Sequence, residues 1–170
     1  MDDTEQLGDL VLPHVERADL RARLTAFYAA VDEAIAAHKP VCRNRGDCCR
    51  FDRYGHKLYV TTLELACFLH GRRGPWRPPR DDACPYQIDG RCTAREHRPL
   101  GCRVFFCDPA TRDWQGPEYE RRLIELRQIS ADFGVPYRYV EWLSALHALH
   151  AAEESCLSGG IDEAGGGMIE

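Results

Sequence analysis

The chain has 170 residues, 44% of them hydrophobic, and a formal net charge of −5, which is enough apolar material for one domain with a modest core. No apolar run reaches the ~18 residues that a membrane span needs. The N-terminal MDDTEQLGDLVLPHVERADL has neither the basic nor the apolar segment of an export signal, so the expectation is a cytoplasmic, thiol-reducing location with no membrane partner.

Residues 1–16 are polar and unpatterned, although Val11, Leu12 and Val15 could pack a short turn. From Ala18 to His38 the residues Leu20, Leu24, Phe27, Val31 and Ile35 recur at spacings of three and four, which predicts an amphipathic helix closed by Pro40 and covering one face of the core. His38, near its C-terminus, complements the helix dipole. The stretch VCRNRGDCCRFD follows, with Cys42, Cys48 and Cys49; Gly46 suits a tight reversal that turns thiols toward a common centre. Adjacent cysteines point in different directions, so Cys48 and Cys49 serve two ions of a cluster, or one of them packs.

The segment His56 to Val60 reads as a short strand. Thr61 and Glu64 have the spacing of a capping box, predicting a helix from about Thr62 to His70, stopped by Gly71. Cys67 lies inside that helix among Leu63, Ala66 and Phe68 and reads as core. Arg72 to Arg80, rich in Pro and Arg, reads as an exposed loop open to a protein partner. Asp89-Gly90 is a hairpin signal that pairs Ile88 with Arg91 and puts Cys84 and Cys92 on opposite faces, so both can face one metal only if a bulge or twist intervenes. Pro99 and Gly101 exclude a long helix before Cys102, and Cys102 to Cys107 returns two thiols beside apolar residues.

Beyond Asp113, Glu118 to Phe133 reads as a helix with Leu123, Ile124, Leu126 and Ile129 on its inner side. Pro136 then starts a second helix running to about Glu154. The two are expected to form an antiparallel hairpin packing on the Ala18 to His38 helix. His147 and His150, three positions apart, read as surface or core histidines. Cys156 precedes a glycine-rich acidic tail, SGGIDEAGGGMIE, expected to be disordered. The domain reading is one unit over 1–156, with a cysteine core at 40–108, a helical part at 117–155 and a flexible tail at 157–170. The fold class expected is mainly α, with helices packed around an irregular cysteine-rich metal-binding core and a small β-hairpin.

The chemistry lies in Cys42, Cys48, Cys49, Cys84, Cys92, Cys102 and Cys107. Thiols at this density in a reducing compartment point to a metal rather than to disulfides. Seven exceed one mononuclear site and fall short of two all-cysteine sites. The options are a closed four-cysteine site with an open three-cysteine one, a thiolate-bridged cluster of zinc or iron, or an iron–sulfur cluster with spare thiols. Asp108, His97, water or substrate could fill an open position. From Lys39 to Asp113 there are 15 Lys or Arg against 9 Asp or Glu, a formal +6, while the remainder holds 7 against 18, or −11. Arginines near thiolates stabilise their charge; the acidic flanks rank a nucleic-acid surface lower. There is no internal repeat, phosphate loop or nucleophile elbow.

Taken together, Cys42, Gly46, Cys48 and Cys49, then Cys84-Pro85, then Cys92, Arg98-Pro99, Cys102-Arg103 and Cys107 form a pattern over roughly residues 40–108. It resembles the small bacterial YkgJ-like family of zinc- or iron-chelating cysteine-cluster proteins, which includes the flagellin lysine N-methylase group. Arg45 stands where that pattern has a second cysteine, so an eight-cysteine site is impossible here. The resemblance implies metal chelation more firmly than an activity. Methyl transfer to protein lysine or a redox reaction is the enzymatic alternative, and a metal carrier or adaptor is a further one. Arg98 and Arg103 are expected to hold thiolate charge or hydrogen-bond sulfur.

Overall fold

Leu20, Leu24, Phe27 and Val31 form the buried stripe of α2 (Ala18–His38), which ends where Lys39 turns left-handed at φ 48° before Pro40. The computed structural model describes residues 3–42, 46–72, 74, 76–78 and 80–158. Arg45, parts of the Arg72 to Arg80 loop and the tail from 159 onward lie outside the described residues. Among the described residues the chain is mainly helical, with two small two-stranded sheets.

The helices besides α2 are α1 (Asp3–Val11), α3 (Phe51–Tyr54), α4 (Thr62–Gly71), α5 (Leu100–Val104), α6 (Arg112–Asp132) and α7 (Trp142–Ser158). One sheet pairs β1 (Tyr59–Thr61) antiparallel with β4 (Tyr139–Glu141); the other is the hairpin β2 (Gln87–Ile88) and β3 (Arg91–Cys92). The capping box at α4 is present: Thr61 accepts from the Glu64 N–H, and the Glu64 side chain reaches back to the Thr61 N–H.

Two apolar clusters organise the packing. One joins Leu7 and Val11 of α1 with Leu65, Phe68 and Leu69 of α4 and Trp142, Leu146 and Leu149 of α7, and takes in Cys49 and Cys84. The other joins the α2 stripe with Leu63, Leu100, Val104, Leu126 and Ile129. α4 contributes to both, because its opposite faces carry Leu63 and Leu65. Among the described residues, no helix is long and apolar enough to cross a membrane.

Several expectations are corrected. Residues 3–11 are helical rather than unpatterned, and α1 packs along α7 so closely that a Cβ on Gly8 would sit 2.9 Å from the Ala152 Cβ. Pro136 starts no helix; the chain first runs as β4, and α7 begins at Trp142. α6 begins at Arg112 with Pro117 inside it, and Ile124 is 68% exposed rather than inward. Nor does a hairpin of the last two helices pack on α2: α6 joins the α2 cluster, whereas α7 joins the α1 cluster.

Candidate metal centre

The seven thiols come from six places along the chain. Cys42 lies after α2, Cys48 and Cys49 in the short turn Asp47–Cys49, Cys84 before β2, Cys92 in β3, Cys102 in α5, and Cys107 just beyond it. Gly46 makes this assembly possible. It sits in the left-handed region at φ 69°, and a Cβ there would meet the Gln87 side-chain nitrogen at 2.5 Å and the Gly90 carbonyl oxygen at 2.7 Å. The first cysteine segment is thus pressed onto the hairpin. The Cys84 N–H donates to the Cys49 carbonyl at 2.9 Å and fixes the two segments together.

Asp89 and Gly90 both have positive φ, 48° and 77°, as a two-residue turn of this twist requires. Ile88 pairs with Arg91 and Gln87 with Cys92, the register the Asp-Gly signal implies. Cys84 is not an extension of β2: the Gln87 N–H donates back to the Cys84 carbonyl at 3.1 Å, so the chain bends at Pro85-Tyr86. This bend removes the strict alternation that would separate Cys84 from Cys92. At the rim, the Val41 N–H donates to Asp108 Oδ2 at 2.9 Å, holding the residues next to Cys42 and Cys107 together.

Five thiols share one electrostatic neighbourhood. Burial pushes the Cys84 thiol up to about 11, with Cys92 and Cys48 adding to the shift. Burial also pushes Cys102 well above the usual thiol range, reinforced by Cys84, Cys92 and Cys48. Cys48 is exposed and moves the other way, to about 6, because Cys49 donates a hydrogen bond to it and because Arg98 and His56 lie nearby. The Cys49 thiol, as that donor, is held well above its ordinary value. Two polar groups that the sequence reading missed surround these sulfurs. The Gln87 side-chain nitrogen is buried without a hydrogen-bond partner, and the buried Trp142 indole N–H points its hydrogen-bonding capacity at Cys84, favouring the thiolate. Gln87 was findable, since the hairpin register places it opposite Cys92.

The composition of this donor set suits zinc or iron, which take thiolates in sheltered, basic surroundings. The spacing does not close a site: among the described residues no three Cys, His, Asp or Glu side chains gather as a metal would require.

No known protein family, curated protein or solved structure matches this chain. The resemblance to chelating cysteine-cluster proteins therefore rests on motif spacing alone.

The two expected arginines part company. Arg98 is near Cys48, Cys92 and Cys102. Arg103 instead clamps the fold: it is 6% exposed, donates to both Asp32 carboxylate oxygens at 3.0 and 2.9 Å and to the carbonyls of Glu96 and Arg98, and lies over the Tyr28 ring. Asp108 is engaged as a cap on Ala110 and on Val41. His97 packs on Gly71, where a Cβ would fall 2.0 Å from its Nδ1. Cys67 is half-buried against the α2 cluster, its thiol raised to about 11 by burial. His38 contacts the Ala34 carbonyl oxygen through Nδ1 at 3.0 Å and stacks on Trp114. His147 and His150 reach separate acids, Asp81 and Glu154.

Proposed function

We propose that this chain is a zinc- or iron-binding protein whose ligands are drawn from Cys42, Cys48, Cys49, Cys84, Cys92, Cys102 and Cys107. The observation that carries the reading is that thiols from four distant segments, Cys48 and Cys49, Cys84, Cys92 and Cys102, lie close enough for the charge of one to act on another, Cys92 and Cys48 both raising Cys84 and Cys102. Burial holds the Cys84 and Cys102 thiols protonated and neutral, so thiolate ligation needs something to replace their protons. A bound metal would supply that replacement and would add its binding free energy to folding. The chain's own residues supply the rest. Arg98 offsets thiolate charge, the Trp142 N–H stands beside Cys84, and Gly46 lets the first cysteine segment reach the hairpin.

Two substitutions test the ligand assignment. Cys102→Ser is expected to lower metal content and the unfolding midpoint together, whereas Cys67→Ala leaves metal content unchanged. Equal metal loss in both variants would show the assignment to be wrong.

A metal carrier is the second reading, favoured by the exposure of Cys42, Cys48 and Cys107. Under it, a chelator added to folded protein removes metal within seconds and leaves the circular dichroism unchanged. Release only on denaturation argues for a closed structural site.

A further inference from the structure

Beside the thiols lies an open cleft of about 320 Å³ lined by Cys42, Arg91, Cys92 and Arg95. Its charge is one-sided. Arg17, Arg72, Arg80, Arg103 and Arg122 all have carboxylate partners, but among the described residues no Asp or Glu forms a salt bridge with Arg91, Arg95 or Arg98. The nearest acid in sequence, Glu96, is directed to His97 at 3.9 Å. Arg98 packs against this pair: its Nε donates to the Arg95 carbonyl at 3.1 Å, and its guanidinium is made easier to deprotonate, first by burial and then by the Arg95 charge. Arg98 is thus half-buried with the exposed Arg95 charge beside it, an arrangement that an anion in the cleft would relieve.

We propose that this cleft binds an oxyanion, a phosphate or carboxylate group of a small molecule, through the guanidiniums of Arg91 and Arg95, with Arg98 as the positive charge behind them. Guanidinium forks match the paired oxygens of both groups. The volume lies at the small end of ligand pockets, which favours a compact anion. The −11 carried by the rest of the chain opposes a nucleic-acid strand, whose phosphates would extend past the basic region. Cys42 and Cys92 line the cleft and belong to the proposed ligand set, so thiolate charge there would weaken anion binding without removing the two arginines, and metal-loaded and metal-free protein are compared for that reason.

The test is isothermal titration of the full chain with inorganic phosphate, with citrate and with a short single-stranded DNA, in chloride buffer. It is run on protein as purified and again after chelation under reducing conditions. Saturable binding of phosphate or citrate is expected in both preparations, and the stronger of the two identifies the class. Arg91→Gln and Arg95→Gln should each weaken it roughly ten- to a hundredfold, while Arg127→Gln, which removes a charge from α6, leaves it unchanged. Arg91 and Arg95 are exposed, so these variants are expected to keep the wild-type unfolding midpoint. Where one does not, the Lys variant at the same position, which keeps the charge and loses the fork, is read instead and should also weaken binding. The proposal is overturned by no saturable binding of either anion, by binding of the oligonucleotide alone, by equal weakening in Arg127→Gln, or by anion binding confined to the metal-loaded protein and indifferent to Arg91 and Arg95.

Discussion

Glu64 is a carboxylate only 2% exposed that serves two helices at once. It accepts from the Thr61 N–H at 2.7 Å, the Thr61 hydroxyl at 2.9 Å and the Leu100 N–H at 2.7 Å. The first two bonds cap α4; the third satisfies the first amide of α5, the helix that carries Cys102. Burial raises its pKa, and the hydrogen bonds and Arg103 only partly pull it back. A carboxyl whose folded pKa lies above its unfolded value binds more protons in the native state, so its contribution is full below the unfolded pKa and is lost as pH rises through the folded one. Urea unfolding at increasing pH should show that loss in the wild type, and Glu64→Gln should abolish the Glu64 share of it. Glu64→Ala, which strands buried amides, should cost about 3 kcal/mol. At this same scale the sequence showed the Thr61/Glu64 box but not its reach to Leu100, because a contact across 36 residues leaves no local spacing. Arg103 is a parallel case. Its place beside Cys102 suggested a thiolate partner, yet its side chain turns to Asp32 on α2, and adjacency along a helix says little about which face a long side chain takes.

Among elements, α2 and α4 were legible because each carries its own periodic or capping signal. α1 was not. Its buried residues Leu7 and Val11 are too few for a periodicity, and what holds it is contact with α7, at the far end of the chain. β4 was hidden for a related reason. Pro136 is a sound first-turn residue, but Tyr139, Val140 and Glu141 pair with β1, and long-range pairing overrides local preference in so short a segment. The cysteine segments were legible in outline, since the Asp-Gly turn and Gly46 both mark chain reversals. Gly46 is the element-level test of the candidate site. Gly46→Ala puts a side chain in the left-handed region and against the Gly90 carbonyl. It should cost at least ~1–2 kcal/mol of stability and raise hydrogen exchange at both the Asp47–Cys49 turn and the hairpin. An unchanged exchange pattern would show that the two segments are not held together by this contact.

Across the whole molecule, two apolar clusters share α4, and the thiols sit where segments from both converge: Cys49 and Cys84 are buried in one cluster, and Cys102 packs against it from α5. The basic middle of the chain is set between acidic ends, so positive charge concentrates where thiolate charge would form. On the proposed reading, metal binding would belong to the assembled chain rather than to any one motif, and the reading predicts that thiols, metal content and stability move together. The most direct measurement is elemental analysis of protein purified anaerobically, with a visible spectrum of the same sample. One or more equivalents of zinc or iron per chain is the expected result, with an absorption band that bleaches on reduction if the iron is held as an iron–sulfur cluster. Less than a stoichiometric equivalent of any transition metal would contradict the account.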